Sequence, residues 1–306
     1  MNRCLVIINP VSGGGAARRY ALDLQWKLST FFDTIEVKFT TGPNDATRFA
    51  KAACDEGFDA VFCMGGDGTV NETVNGIAQG DFKCTFGFIP VGTVNDMSRA
   101  LGIPQKPLEA IKRLDINQVR SIDIGRCNDK YFCNNIAAGV IPKVIEEVTP
   151  KEKQILGPLA YFLRAGQALF TTKDYTFRIK TADDDFICKS PLVLALLTNV
   201  VSSFERFMPE ASVDDGYMRL IIFKEYFILD ILSVLPLILS GAIYNSRYTT
   251  TLTVKQAHIE LLTDVNDLPT NMDGDQGPYM PVDIEVLPQV LKVFAPVKHK
   301  KKKSLL

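Results

Sequence analysis

Short apolar runs and helical-period stretches alternate along the first part of the chain. Leu5–Asn9 is an apolar run closed by Asn9-Pro10, the pattern of a strand buried on both faces. Ala16–Phe31 follows with helical spacing, and Leu22, Trp26 and Leu28 or Phe32 form its apolar stripe. Ile35–Thr40 alternates like a strand, and Asn44–Glu56 reads as a helix. Ala60–Met64 is a buried strand, Thr69–Ala78 a helix and Thr85–Pro90 another strand. Strands separated by helices at this spacing predict an α/β unit with a parallel sheet covered on both faces. In such sheets ligands bind in the crevice beyond the carboxyl ends of the strands.

Around Asp115–Ile124 the pattern changes. Beyond it come β-rich runs at Lys130–Asn134, Tyr175–Thr181, Phe186–Leu197, Met218–Phe223, Thr249–Val254, His258–Leu262 and Val282–Leu287. Helical stretches at Gln154–Phe170 and Tyr226–Leu239 interrupt them. The expected organisation is an α/β domain over 1–120 and a mostly antiparallel domain over 121–296, whose last strand could return to the first. A basic tail over 297–306 follows.

Composition narrows the chemistry. The 306 residues are 46% hydrophobic and 23% charged, a balance suited to a folded globular protein. The net charge of -1 argues against a dedicated nucleic-acid binder. It also hides an asymmetry, because five lysines crowd into Lys298–Lys303 and leave the rest of the chain distinctly acidic. Only two histidines occur, His258 and His299, so histidine triads and His-rich zinc sites are nearly excluded. Acid/base work then falls to carboxylates. The seven cysteines are scattered without a C-x-x-C pair, which points to free thiols in a reducing cytoplasm. The apolar stretch Phe227–Leu239 is broken by Asp230, Ser233 and Pro236 and is too short to span a bilayer.

Three glycine-rich turns fall at the carboxyl ends of three predicted strands, each opening a helix. They are Asn9-Pro10-Val11-Ser12-Gly13-Gly14-Gly15, Gly65-Gly66-Asp67-Gly68-Thr69-Val70-Asn71-Glu72 and Pro90-Val91-Gly92-Thr93-Val94-Asn95-Asp96. Glycines let backbone N–H groups approach an anion, and helix N-termini favour it. One such turn is weak evidence; three on one sheet edge predict a polyphosphate pocket. No G-x-x-x-x-G-K-[ST] loop and no protein-kinase motif set occurs. Asp67 would repel a phosphate directly, but becomes useful if Mg²⁺ lies between them.

In this order the three turns resemble those of the diacylglycerol kinase catalytic-domain family of lipid kinases. Gly157-Pro158-Leu159-Ala160-Tyr161, Leu197-Thr198-Asn199, Phe204-Glu205, Pro209 and Asp214-Asp215-Gly216-Tyr217 resemble its soluble bacterial members. The resemblance spans roughly residues 3–296. It implies an N-terminal nucleotide domain, a C-terminal β-sandwich like that of NAD kinases, and ATP-dependent phosphorylation of a lipid hydroxyl. By the same resemblance Asn9, Pro10, Val11, Ser12, Gly13, Thr40, Gly66, Asp67, Gly68, Thr69, Val70, Asn71, Glu72 and Thr93 bind ATP. Asp215, with backbone oxygens of Ser212 and Tyr217, matches the family's structural Mg²⁺ site.

The family's catalytic base is the Glu of an Asp-Gly-Glu motif, where this chain reads Asp273-Gly274-Asp275. Asp275 is one methylene shorter, but remains a carboxylate able to take a hydroxyl proton. Asp-Gly is also an ordinary turn pair, so a plain polar turn stands beside that reading. The expected mechanism has Asp67 and Asp96 holding Mg²⁺ or its waters while Asp275 acts as base; for Asp96 a helix-terminal carboxylate is the structural alternative. The expected substrate is diacylglycerol, giving phosphatidic acid. Another lipid alcohol, an NAD kinase-like activity and a catalytically silent binding protein are the alternatives. Peripheral attachment to the inner face of the membrane, through the Phe227–Leu239 surface or the lysine run, would bring enzyme and lipid together. Oligomeric state is not legible, and a homodimer stays open.

Overall fold

The computed structural model describes residues 2–139, 175–205, 207–224, 236–238, 240–264 and 268–297. Strand β1 (Arg3–Ile8) pairs in parallel with β2 (Thr34–Phe39) on one side and β3 (Ala60–Gly65) on the other. β4 (Thr85–Pro90) extends the sheet beyond β3. All six residues of β3 are buried, as an interior parallel strand requires. The connecting helices are α1 (Ser12–Arg19), α2 (Ala21–Leu28), α3 (Asp45–Asp55), α4 (Asp67–Gln79), α5 (Asp96–Leu101) and α6 (Pro107–Arg113).

The single helix expected over 16–31 is thus two, parted at Tyr20. Its stripe is also corrected. Leu24 and Leu28 are fully buried, whereas Leu22 is 77% and Trp26 74% exposed. Two stripes of the same period fit this stretch, and the bulk of Trp26 favours the wrong one from sequence.

The later strands are β5 (Val119–Cys127), β6 (Lys130–Phe132), β7 (Asn135–Gly139), β8 (Tyr175–Lys180), β9 (Asp185–Ser190), β10 (Leu192–Leu196), β11 (Met218–Phe223), β12 (Thr249–Val254), β13 (Gln256–Leu261), β14 (Pro269–Met272), β15 (Asp275–Tyr279) and β16 (Val282–Phe294). Among the described residues they complete two sheets. The larger has the order β2-β1-β3-β4-β16-β13-β8-β9, with β5 also on β16 and β6 on β5; the smaller has the order β12-β11-β10-β7-β14-β15. Every pair formed between β5 and β15 is antiparallel, so a parallel α/β unit joins an antiparallel β-sandwich. Phe132, Phe177, Leu220 and Ile259 fill the sandwich core between the two sheets.

β16 joins the two units. It pairs antiparallel with β13 at its start and with β5 along its length, and in parallel with β4 at Val293. The expected strand ended at Leu287, before Pro288. The real one passes that proline through a register shift between Leu287 and Leu291, with Gln289 at φ 52°. Phe186–Leu197 is likewise two strands, parted at Pro191 and lying in different sheets. Lys130–Asn134 stops as a strand at Phe132. Helix Gln154–Phe170, nearly all of Tyr226–Leu239 and the lysine run lie outside the described residues. No helix among the described residues is long and apolar enough to cross a membrane.

Candidate active site

The three glycine turns sit side by side at the carboxyl ends of β1, β3 and β4, bonded into one unit. Asn9 accepts from Val11 N–H at 3.3 Å and donates its amide to Thr69 Oγ1 at 3.2 Å, tying the first turn to the second. Asp67 ties the second to the third: its Oδ2 accepts Asn95 N–H at 2.9 Å and its Oδ1 accepts Asp96 N–H at 3.1 Å. Backbone meets backbone between these turns. A Cβ on Gly92 would lie 2.8 Å from the Gly66 Cα, closer than real Cβ atoms come. In the first turn Gly13, Gly14 and Gly15 are all left-handed (φ 61°, 65° and 89°), a run that glycine alone adopts without strain. A Cβ on Gly14 or Gly15 would meet nothing, so the loop faces open space.

Across the cleft, Asp273 and Gly274 (φ 52° and 99°) form the two-residue turn between β14 and β15, where Met272 pairs with Asp275. The plain-turn reading of Asp-Gly is therefore correct, and the turn also places Asp275. The Asp273 carboxylate gathers four donors: Cys133 N–H at 2.6 Å, Asn134 and Asn135 N–H at 2.9 Å, and the Asn71 amide at 2.8 Å. Burial raises its pKa, opposed by those bonds. Asp275 differs. Among the described residues its carboxylate accepts no hydrogen bond from a neighbour, and Oδ2 lies 3.1 Å from where a Gly68 Cβ would stand. It therefore faces the N-terminus of α4. Desolvation of the carboxyl, then the charge of Asp67, raises its pKa.

Several expected ligands are committed elsewhere. Asp96 is buried, and its carboxylate accepts Ser202 and Ser203 N–H at 2.7 Å and the Asn134 amide at 3.1 Å. Burial, reinforced by the charge of Asp67, lifts its pKa to about 6. It acts as a joint between α5 and the 202–203 loop. Val70 packs into the core, and Glu72 accepts Ala46 N–H at the start of α3. Asn71 spans the cleft floor to Asp273 and to the Tyr131 carbonyl. Their side chains thus brace the pocket wall. Pro10, Val11, Ser12, Gly13, Gly66, Gly68, Thr69 and Thr93 lie in the turns themselves, with Val11 and Thr93 exposed. Thr40 follows β2 on the same edge, its N–H on the Ile8 carbonyl.

Residues 3–127 match the diacylglycerol kinase catalytic domain, and residues 134–295 match the YegS C-terminal NAD kinase beta sandwich-like domain. A diacylglycerol kinase of Staphylococcus saprophyticus is 33% identical over 294 residues, covering 96% of this chain and 95% of its own. A Streptococcus pneumoniae protein provisionally named a lipid kinase is 35% identical over 298 residues, with 96% and 98% covered. The chain belongs to the diacylglycerol kinase family. That is a family of phosphotransferases with an alcohol acceptor. A crystal structure of a diacylglycerol kinase from Bacillus anthracis superposes with a TM-score of 0.80 at 25% identity, covering 96% of this chain and 97% of that one.

For a member of the diacylglycerol kinase family, the pocket can be tested for the nucleotide it would hold. The left-handed Gly13–Gly15 run and the backbone-close Gly66–Gly92 pair form a cradle that side chains would fill. Asp67 uses two acceptor positions of the roughly four on a carboxylate, leaving others for a cation or its waters. These residues fit ATP with Mg²⁺.

The expected structural Mg²⁺ site does not fit as it stands. Asp215 Oδ1 accepts Tyr217 N–H at 3.0 Å, and Oδ2 accepts Ser212 N–H at 3.2 Å and Arg219 Nη2 at 2.7 Å. Ser212 and Tyr217 therefore turn N–H groups toward the carboxylate, and a guanidinium already matches its charge. Among the described residues no group of three or more His, Cys, Asp or Glu is arranged to hold a metal.

Sequence reasoning missed Asp273, Asn134, Asp123 and Arg219. Asp273 stood within the Asp-Gly-Asp motif, and only its role was unread. The others carry no local signal, because their partners lie far along the chain. Asp123, for example, binds Gly216 and Gln289 N–H at 2.6 and 2.8 Å.

Proposed function

We propose that this kinase transfers the γ-phosphate of ATP, bound with Mg²⁺, to the free hydroxyl of a diacylglycerol, giving phosphatidic acid. The observation that carries this reading is Asp275. It is the cleft carboxylate whose acceptor sites no described neighbour occupies, while Asp67, Asp96 and Asp273 are each held by two or more donors. A group with free lone pairs and a raised pKa can accept a proton; the four donors on Asp273 fit it to fix geometry, and the two on Asp67 leave positions for a cation.

In this reading the glycine turns receive the phosphates on backbone N–H groups. Asp67 would hold Mg²⁺, which when bound neutralises charge developing on the phosphates. The lipid hydroxyl oxygen forms its bond to the γ-phosphorus as the bond to the ADP oxygen breaks, and Asp275 takes the hydroxyl proton. Asp273 fixes the hairpin that aims Asp275, and Asn71 locks that hairpin to α4. Transfer of this kind needs positioning and charge neutralisation more than covalent help.

The lipid must be reached at a membrane surface. The lysine run at 298–303 suits an anionic leaflet, at about 1 kcal/mol per Lys near the surface. Deleting residues 298–306 should then weaken co-sedimentation with anionic vesicles, and unchanged binding removes the tail from this role. The substrate is tested by incubating the protein with radiolabelled ATP, Mg²⁺ and a mixed lipid extract, then separating the lipids. Label migrating as phosphatidic acid is expected. Label in another lipid replaces diacylglycerol with that alcohol, and no lipid label sinks the reading.

A further inference from the structure

The loop between Ser212 and Tyr217 is where resemblance placed a structural divalent ion, and where this chain places a guanidinium. Arg219 leaves β11 as a buried residue, and one nitrogen, Nη2, reaches two acceptors. It donates to Asp215 Oδ2 at 2.7 Å and to the Glu210 carbonyl at 3.3 Å. A carboxylate oxygen plus a backbone carbonyl oxygen is the ligand set of a hard cation. Here an organic cation takes Asp215, the one side-chain ligand of the expected site, together with the neighbouring Glu210 carbonyl. The Ser212 and Tyr217 N–H groups take further acceptor positions of the same carboxylate.

The neighbouring carboxylates already have protein partners without an added ion. Arg120 donates to Asp214 at 3.2 Å, and Ser212 Oγ donates to the same carboxylate at 2.6 Å. Asp123 is held by Gly216 and Gln289 N–H. Both arginines also keep a buried Nη1 without a hydrogen-bond partner. A site carrying spare buried cationic donors is a poor host for a further double positive charge.

We propose that Arg219 stands in for the divalent ion. It clamps Asp215 and the Glu210 carbonyl, so the 210–217 segment is held onto β11 independently of metal. Two consequences separate this from an ordinary ion pair. The wild-type loop needs no Mg²⁺, and removing the guanidinium opens a place that Mg²⁺ can take.

Thermal unfolding of the full chain without nucleotide, in chelator and in millimolar Mg²⁺, tests both. The wild-type midpoint should be the same in the two conditions. Arg219→Thr should unfold roughly 3–6 °C lower in chelator. Mg²⁺ should restore most of that loss saturably, and the double variant Arg219→Thr/Asp215→Asn should show no such recovery. A wild-type midpoint that Mg²⁺ raises, with the rise lost in Asp215→Asn, overturns the proposal. So does an Arg219→Thr midpoint that falls but ignores Mg²⁺, which would leave a plain ion pair. If Arg219→Thr does not fold, wild type and Asp215→Asn decide: an Asp215→Asn midpoint below wild type, with neither curve moved by Mg²⁺, supports the stand-in, while a Mg²⁺-dependent rise in wild type alone, or equal midpoints, refutes it. None of these readings depends on which lipid is phosphorylated.

Discussion

On the side of the cleft formed by β1, β3 and β4, three turns hold one another through Asn9, Thr69 and Asp67, and they face the pocket mainly with backbone. On the side formed by β14 and β15, a single two-residue turn carries one carboxylate with no described donor and one with four. The first wall is selective through shape, because a side chain at Gly13 or Gly92 collides with neighbouring backbone and one at Gly14 or Gly15 forces a strained left-handed φ. The second is selective through chemistry, because one side chain is left free while the residue two before it is saturated. A binding surface tolerates redundancy; a proton acceptor needs a single aimed group.

The contrast is most easily broken at its free member. Asp275→Asn keeps the shape and removes the proposed base, so phosphate transfer should fall about a thousandfold. ATP affinity by calorimetry and the unfolding midpoint should stay as they were. Substantial remaining transfer would move the base elsewhere.

Asp273→Ala attacks the saturated member instead. Three backbone N–H groups and the Asn71 amide lose their acceptor together, at a cost of roughly 3–5 kcal/mol in urea unfolding. Catalysis should drop as well, since the hairpin no longer aims Asp275. A loss of activity without a loss of stability would make Asp273 a direct participant.

Gly68→Ala sharpens the comparison where the walls meet. Its Cβ would lie 3.1 Å from Asp275 Oδ2, so that side chain must give way. About a tenfold fall in kcat is expected, while helix propensity adds up to about 1 kcal/mol of stability within α4. Parallel losses of both would point to a packing fault.

The smallest effect is on pH dependence. Asp96 has a pKa of about 6 in the fold against an unfolded value of ~3.9, so the native state holds its proton more tightly. Its contribution to stability is therefore present below about pH 4 and is lost as pH rises to about 6. Asp96→Asn should flatten the unfolding free energy across that window, and an unchanged slope would assign the slope to other groups.

Much of this was legible in the chain itself. The strand–helix alternation and the three turns are local patterns, and each turn lies where its flanking apolar run placed it. The stripe on α2 was misread because Leu22/Trp26 and Leu24/Leu28 share one spacing, and only the packed sheet chooses between them. β14 and β15 are short and contain proline and glycine, so they gave no strand signal, although they flank the turn that places Asp275. The partners of Asp96, Ser202 and Ser203, were illegible because they are more than a hundred residues distant. Residue types announce chemistry; only tertiary contacts show which of them are left free to perform it.

β16 adds a temporal consequence. Val293 pairs with β4 at Phe86, and the Phe294 ring stacks on Phe62 at 5.3 Å between centroids. The strand completing the first sheet is therefore made after almost everything else. During synthesis the early strands emerge with one flank and part of their core uncovered, and such long-range closure is slow. Cutting the chain after residue 120 would leave an N-terminal fragment with an open edge beside Phe86 and an uncovered Phe62. The parallel α/β half is thus finished by the last strand of the half that follows it.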